Sequence, residues 1–240
     1  MQTYWLEQTA ADLPANDDWL SSREILFFGS LRFAKRRADW RLGRWTAKLA
    51  AAAYLNLSPD AHCLREIEVR AAPSGAPELF LRNRPAALSI SLSHRAEVAI
   101  CAIADCDAAL GCDLELIEPR DENFLADYFT REEQAWVARV PVQQRPELVT
   151  LLWSAKESTL KALAEGLRLD TRSLAVTLGE QPDRNDAALP WQPLQVRCAS
   201  GKVFHGWWRS TGQLVRTLVA LPSSLPPVLL KACAAFAMTA

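Results

Sequence analysis

The sequence lacks a net charge of either sign. Its 27 basic and 28 acidic side chains leave −1 at neutral pH, so no global field draws the molecule toward nucleic acid or an anionic membrane, and any such attraction has to be local. No apolar run approaches the ~18 residues that a membrane span requires. The first segment, with Glu7, Asp12, Asp17 and Asp18, is too acidic for a secretory signal, so a cytoplasmic location is expected. Six cysteines form neither a C-x-x-C pair nor a dense framework, which argues against a disulfide scaffold and predicts buried, reduced thiols.

What is present is material for a large core. Half of the 240 residues are apolar and 23% are charged, and a chain of this length buries roughly 70–75% of its unfolded surface, which argues against disorder. One large domain and two small lobes both fit the length. Residues 30–57 predict one helix ending near Pro59, with Leu42, Trp45, Thr46, Leu49 and Tyr54 recurring at helical spacing. Residues 71–77 carry two prolines and a glycine and read as a turn. Alternation over 88–93 predicts a strand, with two more at 98–104 and 109–117. Thr130-Arg131-Glu132-Glu133 is a capping box, starting a helix to about Val140. Pro146 opens a helix of about five turns, with Gly166 as its expected stop. Strands are expected at 173–178, 203–209 and 213–221, the last two joined around Gly212. No internal sequence repeat is evident, although helix followed by strands occurs once on each side of Ala108.

Three groups of residues carry chemistry. Asp113 and Glu115 lie one residue apart on a predicted strand, so both carboxylates share a face about 7 Å apart at the backbone. Cys112, Leu114 and Leu116 are then expected to point the other way, into the core. Such a pair is either two hard ligands for a divalent cation or an ordinary solvated strand face. On the helix from Pro146, Trp153, Glu157 and Lys161 follow at i, i+4 and i+8 and share one stripe, with Lys156 beside it. This is either a surface ion pair worth about 0.3–0.5 kcal/mol or the third carboxylate of a magnesium site whose remaining positions an anionic substrate fills. Finally, Arg32, Lys35, Arg36, Arg37, Arg41, Arg44 and Lys48 face one acid, Asp39, in the same stretch. Arginine suits phosphate through its planar fork, and a solvated helix face is the alternative. His94 follows Ser93 at a strand end and is either structural or a phosphate donor. A Ser93–His94 hydrolase dyad is disfavoured, because no G-x-S-x-G elbow surrounds the serine and strand neighbours face opposite ways. His62 and His205 are assigned no role.

Together, Ser91-Leu92-Ser93-His94, Gly111-Cys112-Asp113-Leu114-Glu115 and Trp153-Ser154-Ala155-Lys156-Glu157-Ser158-Thr159-Leu160-Lys161 resemble the signatures of the 4′-phosphopantetheinyl transferases: S-x-S-H, G-x-D-x-E, then W-x-x-K-E-x-x-x-K. By length the chain resembles the monomeric Sfp-like class that activates peptide and polyketide synthases, rather than the short trimeric class. The resemblance implies an α+β fold of two similar α/β lobes in pseudo-twofold arrangement, 1–108 and 109–240, with coenzyme A in the cleft between them. It implies transfer of the 4′-phosphopantetheine arm of coenzyme A to a serine of an apo acyl or peptidyl carrier protein, with magnesium as cofactor and 3′,5′-ADP as product. Carried over by motif, Asp113, Glu115 and Glu157 would hold magnesium, Lys161 would contact the pyrophosphate, and Ser93 and His94 would help bind the nucleotide end. Gly75-Ala76-Pro77 resembles the G-K-P loop against the adenine, with Ala76 in place of lysine. Arg37 through Lys48 is similar to the R-x-E-F-x-x-G-R-x-x-A-R stretch of relatives serving siderophore and lipid synthesis. It makes Arg37 and Arg44 the foremost candidates for the 3′-phosphate, followed by Arg36 and Lys48. Glu157 would be the base and no nucleic acid or membrane partner is expected.

Two other readings stay open at this level. A metal-dependent nuclease shares an acidic strand pair followed by Glu and Lys, but Glu157 and Lys161 are four apart on a helix and the net charge offers no broad phosphate footprint. A non-catalytic coenzyme A-binding module would need no third carboxylate.

Overall fold

The computed structural model describes residues 1–164, 168–179 and 191–231; the expected helix stop at Gly166 and the cysteine at 233 lie outside them. The chain divides into two compact units, Thr3–Asp107 with the chain from Val228 onward, and Met1–Gln2 with Ala108–Pro227. The first runs through β1 (Tyr4–Thr9), α1 (Ser22–Ser30), α2 (Ala34–Tyr54), α3 (Ala61–Glu66), β2 (Ile67–Ala71), β3 (Pro77–Leu81), β4 (Arg84–Pro85), β5 (Leu88–Arg95) and β6 (Val98–Asp105). The second holds β7 (Ala109–Leu116), α4 (Glu122–Tyr128), α5 (Arg131–Arg139), α6 (Arg145–Ala162), β8 (Leu174–Leu178), β9 (Gln192–Cys198), β10 (Val203–Thr211) and β11 (Leu214–Leu221). A last strand, β12 (Val228–Leu229), returns to the first unit and pairs parallel with β1. The sheets are ordered β12-β1-β6-β5, β2-β3-β4 and β7-β11-β10-β9-β8. The fold class is α+β.

In both units a strand is followed by a short capped helix, a long helix and a set of strands. The long helix α2 lies against β6 and β1 through Ala47, Ala50, Ala51 and Ala52, all at most 1% exposed. Side chains this small let helix and sheet approach closely. Above them Trp19 and Trp45 meet edge to face with ring centres 5.1 Å apart, a favoured aromatic geometry. The helix expected from residue 30 starts four residues later. Leu31 is buried and Leu31 and Phe33 have extended backbone, so the chain breaks there and the preceding residues form α1. That helix has its own capping box, in which Ser21 and Glu24 satisfy each other's backbone donors.

The capping boxes at Ser21 and Thr130 have a second role. Lys48 of α2 is fully buried, and its ammonium donates to the carbonyls of Trp19 (2.9 Å) and Leu64 (3.0 Å) and pairs with Glu24 at 2.5 Å. Glu24 in turn accepts from the backbone of Val69 in β2. In the second unit Lys156 of α6, also fully buried, donates to the carbonyls of Tyr128 (3.1 Å) and Thr171 (2.9 Å) and pairs at 2.7 Å with Glu133. Glu133 is the third residue of the Thr130 box and accepts from Val176 of β8. Each cage thus ties a helix start, a long helix and a strand together around one ammonium. Breaking such a pair by deleting one partner typically costs about 3–5 kcal/mol, because a buried charge is left uncompensated. Burial lowers the proton affinity of both lysines against the opposing pull of their glutamates. Around the two cages the sequence repeats, Trp45-Thr46-Ala47-Lys48 and Trp153-Ser154-Ala155-Lys156.

The helix α6 sits against β7 and β11. An added Cβ at Gly111 would meet the Ser158 carbonyl oxygen at 1.8 Å, so only glycine permits this approach. Beside it, the hydroxyls of Ser154 and Ser158 both bond that of Thr217 in β11, at 2.9 and 2.6 Å. The packing covers both faces of β7: Cys112 and Leu114 are buried, as expected, while the face carrying Gly111 and Asp113 lies beneath α6 and is no solvated face, with Asp113 4% exposed. The thiols also depart in part from expectation: Cys101, Cys112 and Cys198 are buried, Cys63 is half-buried and Cys106 is exposed, since it lies in the turn between β6 and β7.

Gly111→Ala is expected to destabilise the protein by about 3 kcal/mol, since backbone, not a movable side chain, must give way. Gly43→Ala, where an added Cβ meets nothing within 4 Å inside α2, is expected to stabilise by about 0.5–1 kcal/mol. Denaturant midpoints of the two variants check both signs.

Candidate functional site

The strand β7 places Asp113 and Glu115 at an edge of the five-stranded sheet, and α6 lays Trp153, Glu157 and Lys161 over them. The Lys161 ammonium donates to Asp113 Oδ1 at 2.8 Å and to the Cys112 carbonyl at 3.0 Å. The Trp153 indole N–H donates to Glu115 Oε1 at 3.2 Å. Trp153 is itself fixed by the rings of Phe124 and Tyr128 from α4, with centres 5.2 and 5.1 Å away. Each carboxylate of the strand pair therefore has a helix-borne donor. This is the one-face reading of residues 153, 157 and 161, now seen against the strand it serves.

Charge is crowded here. Burial pushes the Glu157 carboxyl above the usual carboxylate range; the charge of Asp113 adds to this, Lys161 opposes it, and Glu115 adds further. Desolvation is the largest influence on Lys161 and works against its charge, but Asp113, Cys112 and Glu157 together outweigh it and hold the ammonium above its ordinary range. Three acids against one lysine leave an excess of negative charge in a half-buried setting. As they stand, no three His, Cys, Asp or Glu side chains among the described residues are gathered into a group able to hold a metal. Asp113 and Glu115 are instead bonded to Lys161 and Trp153. The donor set still suits a hard dication by its chemistry, since carboxylate oxygens are its preferred ligands and a positive charge would relieve the repulsion that raises Glu157.

The other expected residues lie in the first unit. Arg37 sits 4.3 Å over the Phe28 ring and Arg44 sits 4.9 Å over Trp40, while Phe28 and Trp40 stack on each other at 5.6 Å. Two guanidinium groups thus share one aromatic stack. Burial lowers the Arg44 proton affinity against the pull of Glu24, and its Nε is buried without a hydrogen-bond partner among the described residues. The rest of the basic stretch is largely committed elsewhere. Arg41 pairs with Asp17 at 2.6 Å and Lys35 with Asp39 at 3.0 Å. Lys48, expected as a possible phosphate contact, is the caged lysine of the core and is not available to a ligand. Gly75 takes φ +90° in the turn between β2 and β3, a left-handed value that suits glycine. The Ala76 carbonyl accepts from Ala72 at 2.8 Å, and the Ala76 amide donates to Ser74 Oγ at 3.3 Å. On β5, Ser93 is buried and His94 exposed, on opposite faces as strand alternation requires.

Sequence reasoning missed two contributors. The Trp153 N–H had no visible acceptor until β7 lay beneath α6, and Glu133 was read only as a capping residue. For Glu133 a signal existed, since Ser21-x-x-Glu24 and Thr130-x-x-Glu133 precede the two W-[ST]-A-K runs at nearly equal distances.

An acidic strand pair under a helix that carries a further carboxylate and a lysine defines a class of site suited to handling phosphorylated substrates. Residues 109–200, which hold all four of these side chains, match the family model of the 4′-phosphopantetheinyl transferase superfamily. It is also 26% identical over 194 residues, 80% of this chain and 79% of the relative, to the 4′-phosphopantetheinyl transferase HetI of Nostoc sp. (strain PCC 7120). No helix among the described residues is long and apolar enough to cross a membrane.

In protein stripped of divalent cations, Glu157→Gln is expected to melt at a higher temperature than the unaltered chain at neutral pH. The folded-state affinity of Glu157 for its proton exceeds the ordinary value near 4.3, so ionising it costs folding free energy above that pH. The cost disappears once both states are protonated, and the two melting curves should converge as pH falls below about 4. A gap independent of pH would contradict the assignment.

Proposed function

We propose that this chain transfers the 4′-phosphopantetheine arm of coenzyme A to a serine hydroxyl of an apo carrier protein and releases 3′,5′-ADP, acting as a cytoplasmic monomer of the class that serves peptide and polyketide synthases. The observation that carries this reading is the grouping of Asp113, Glu115, Glu157 and Lys161 within the segment matched to the superfamily. Asp113, Glu115 and Glu157 would hold magnesium, which when bound would supply positive charge to the pyrophosphate. The chain's own residues account for the rest. Lys161, held in its charged form by the surrounding acids, stabilises the negative charge that grows on the departing 3′,5′-ADP as its bond to phosphorus breaks. Glu157 takes the proton of the carrier serine as the new oxygen–phosphorus bond forms.

Nucleotide recognition falls to the first unit. Arg44 on Trp40, with its Nε buried and without a hydrogen-bond partner among the described residues, and Arg37 on Phe28 offer two planar guanidinium forks on one aromatic stack to the 3′-phosphate. Gly75, Ala76 and Pro77 offer backbone and apolar surface to the adenine, and Ser93 and His94 contribute to the nucleotide end.

Glu157→Gln and Asp113→Ala are expected to lower transfer by about 10²–10⁴-fold while remaining folded. The assay is incubation with coenzyme A, magnesium and a panel of apo-carrier domains, scored by intact mass; undiminished labelling by either variant would remove the site. Arg44→Ala and Arg37→Ala are expected to weaken coenzyme A by roughly tenfold and dephospho-coenzyme A far less. Equal losses for both ligands would exclude a contact to the 3′-phosphate.

A further inference from the structure

The acids of the second unit depend on where α6 sits, and the fully buried Lys156 fixes that helix from three directions. An ammonium has three N–H donors, and those of Lys156 meet Glu133 of α5, the carbonyl of Tyr128 at the end of α4, and the carbonyl of Thr171 before β8. The next residue along α6 is Glu157. Contacts also run from the cage to the other acid, because the ring of Tyr128 packs on Trp153 and the Trp153 N–H holds Glu115. We infer that Lys156 and Glu133 are positioning residues for the acid cluster, setting the placement of Glu157 and, through Tyr128 and Trp153, of Glu115. This rests on the reading of those acids as the magnesium and base set.

The first unit supplies a built-in comparison. Lys48 has the same three kinds of acceptor, a capping-box glutamate and two carbonyls, yet the residues at the places of Glu157 and Lys161 are Leu49 and Ala53. A cage alone therefore carries no chemistry. What differs is the side chains it aims.

The two cages are compared by removing each pair as a whole, Lys156→Met with Glu133→Gln and Lys48→Met with Glu24→Gln, in the full chain, after thermal melts show that both variants are folded. The readout is the magnesium concentration giving half of the thermal stabilisation by coenzyme A, with transfer kinetics alongside. Removing the Lys156 pair is expected to raise that concentration about tenfold or more, as loss of groups that orient metal ligands does, and removing the Lys48 pair to leave it within about twofold. An unchanged magnesium requirement in the Lys156 variant, or equal shifts in both, would overturn the inference and leave the cages purely structural. If a double variant does not fold, the isosteric Glu133→Gln and Glu24→Gln, which remove the charge and keep one acceptor oxygen each, are judged by the same criteria. A parent chain whose coenzyme A stabilisation does not respond to magnesium would instead overturn the reading of the acids, and this inference with it.

Discussion

An ammonium group wholly removed from water must find compensation on every side, and this chain meets that requirement twice in the same way. Lys48 and Lys156 are each surrounded by a capping-box glutamate and two main-chain carbonyls. The requirement is severe because the desolvation of one unpaired charge is comparable with the whole stability of a domain. Satisfying it forces the start of one helix, the middle of another and a strand to converge on one point. Once they converge, the long helix can lie only one way on its sheet. In the second unit that helix carries Glu157 and Lys161, so the placement of the chemistry follows from the placement of a residue that does none.

The approach of α6 to β7 imposes a second constraint. Gly111, Ser154, Ser158 and Thr217 keep the interface thin, and the thinness brings helix-borne side chains within reach of strand-borne ones. With bulkier residues the acids of β7 would lie under hydrocarbon, unpaired and largely protonated. Here Asp113 meets Lys161 and Glu115 meets Trp153, while Glu157 keeps an environment that raises its affinity for a proton. The site is a set of mutually adjusted charges in which Glu157 and Lys161 both hold their protons more tightly than such groups ordinarily do.

Local signals were legible wherever they were sharp. The alternation of β5, the capping box of α5, the proline opening of α6 and the β10–β11 hairpin around Gly212 could all be read from a few residues each. The strand β9 could not, because Pro193 at its second position reads as a strand breaker, although Leu194, Val196 and Cys198 alternate as buried residues with exposed ones. Nor could β1, whose apolar residues come first and polar ones last. The helix α1 had the same S/T-x-x-E signature as α5 but was hidden in a long helix-forming run. The acid pair and the helical stripe were readable as separate motifs. Which face of β7 they shared was not, because strand alternation says that two faces differ and not which one a helix covers. Lys48 shows the limit from the other side: among six other basic residues it reads as a phosphate ligand, and only its tertiary surroundings make it a core residue.

The strand β12 has a consequence for how the protein is made. It adds main-chain hydrogen bonds to β1, with Val228 donating to Thr3 and Leu230 to Trp5, and so covers the outer edge of a strand whose other neighbour, β6, is complete by residue 105. During synthesis that edge stays open while more than a hundred further residues are added, and an uncovered edge is a template for pairing with other chains. The N-terminal unit is therefore closed last, by a segment translated after the whole of its neighbour. Shortening the chain at its far end would leave the first strand ribosomes produce exposed for the life of the molecule.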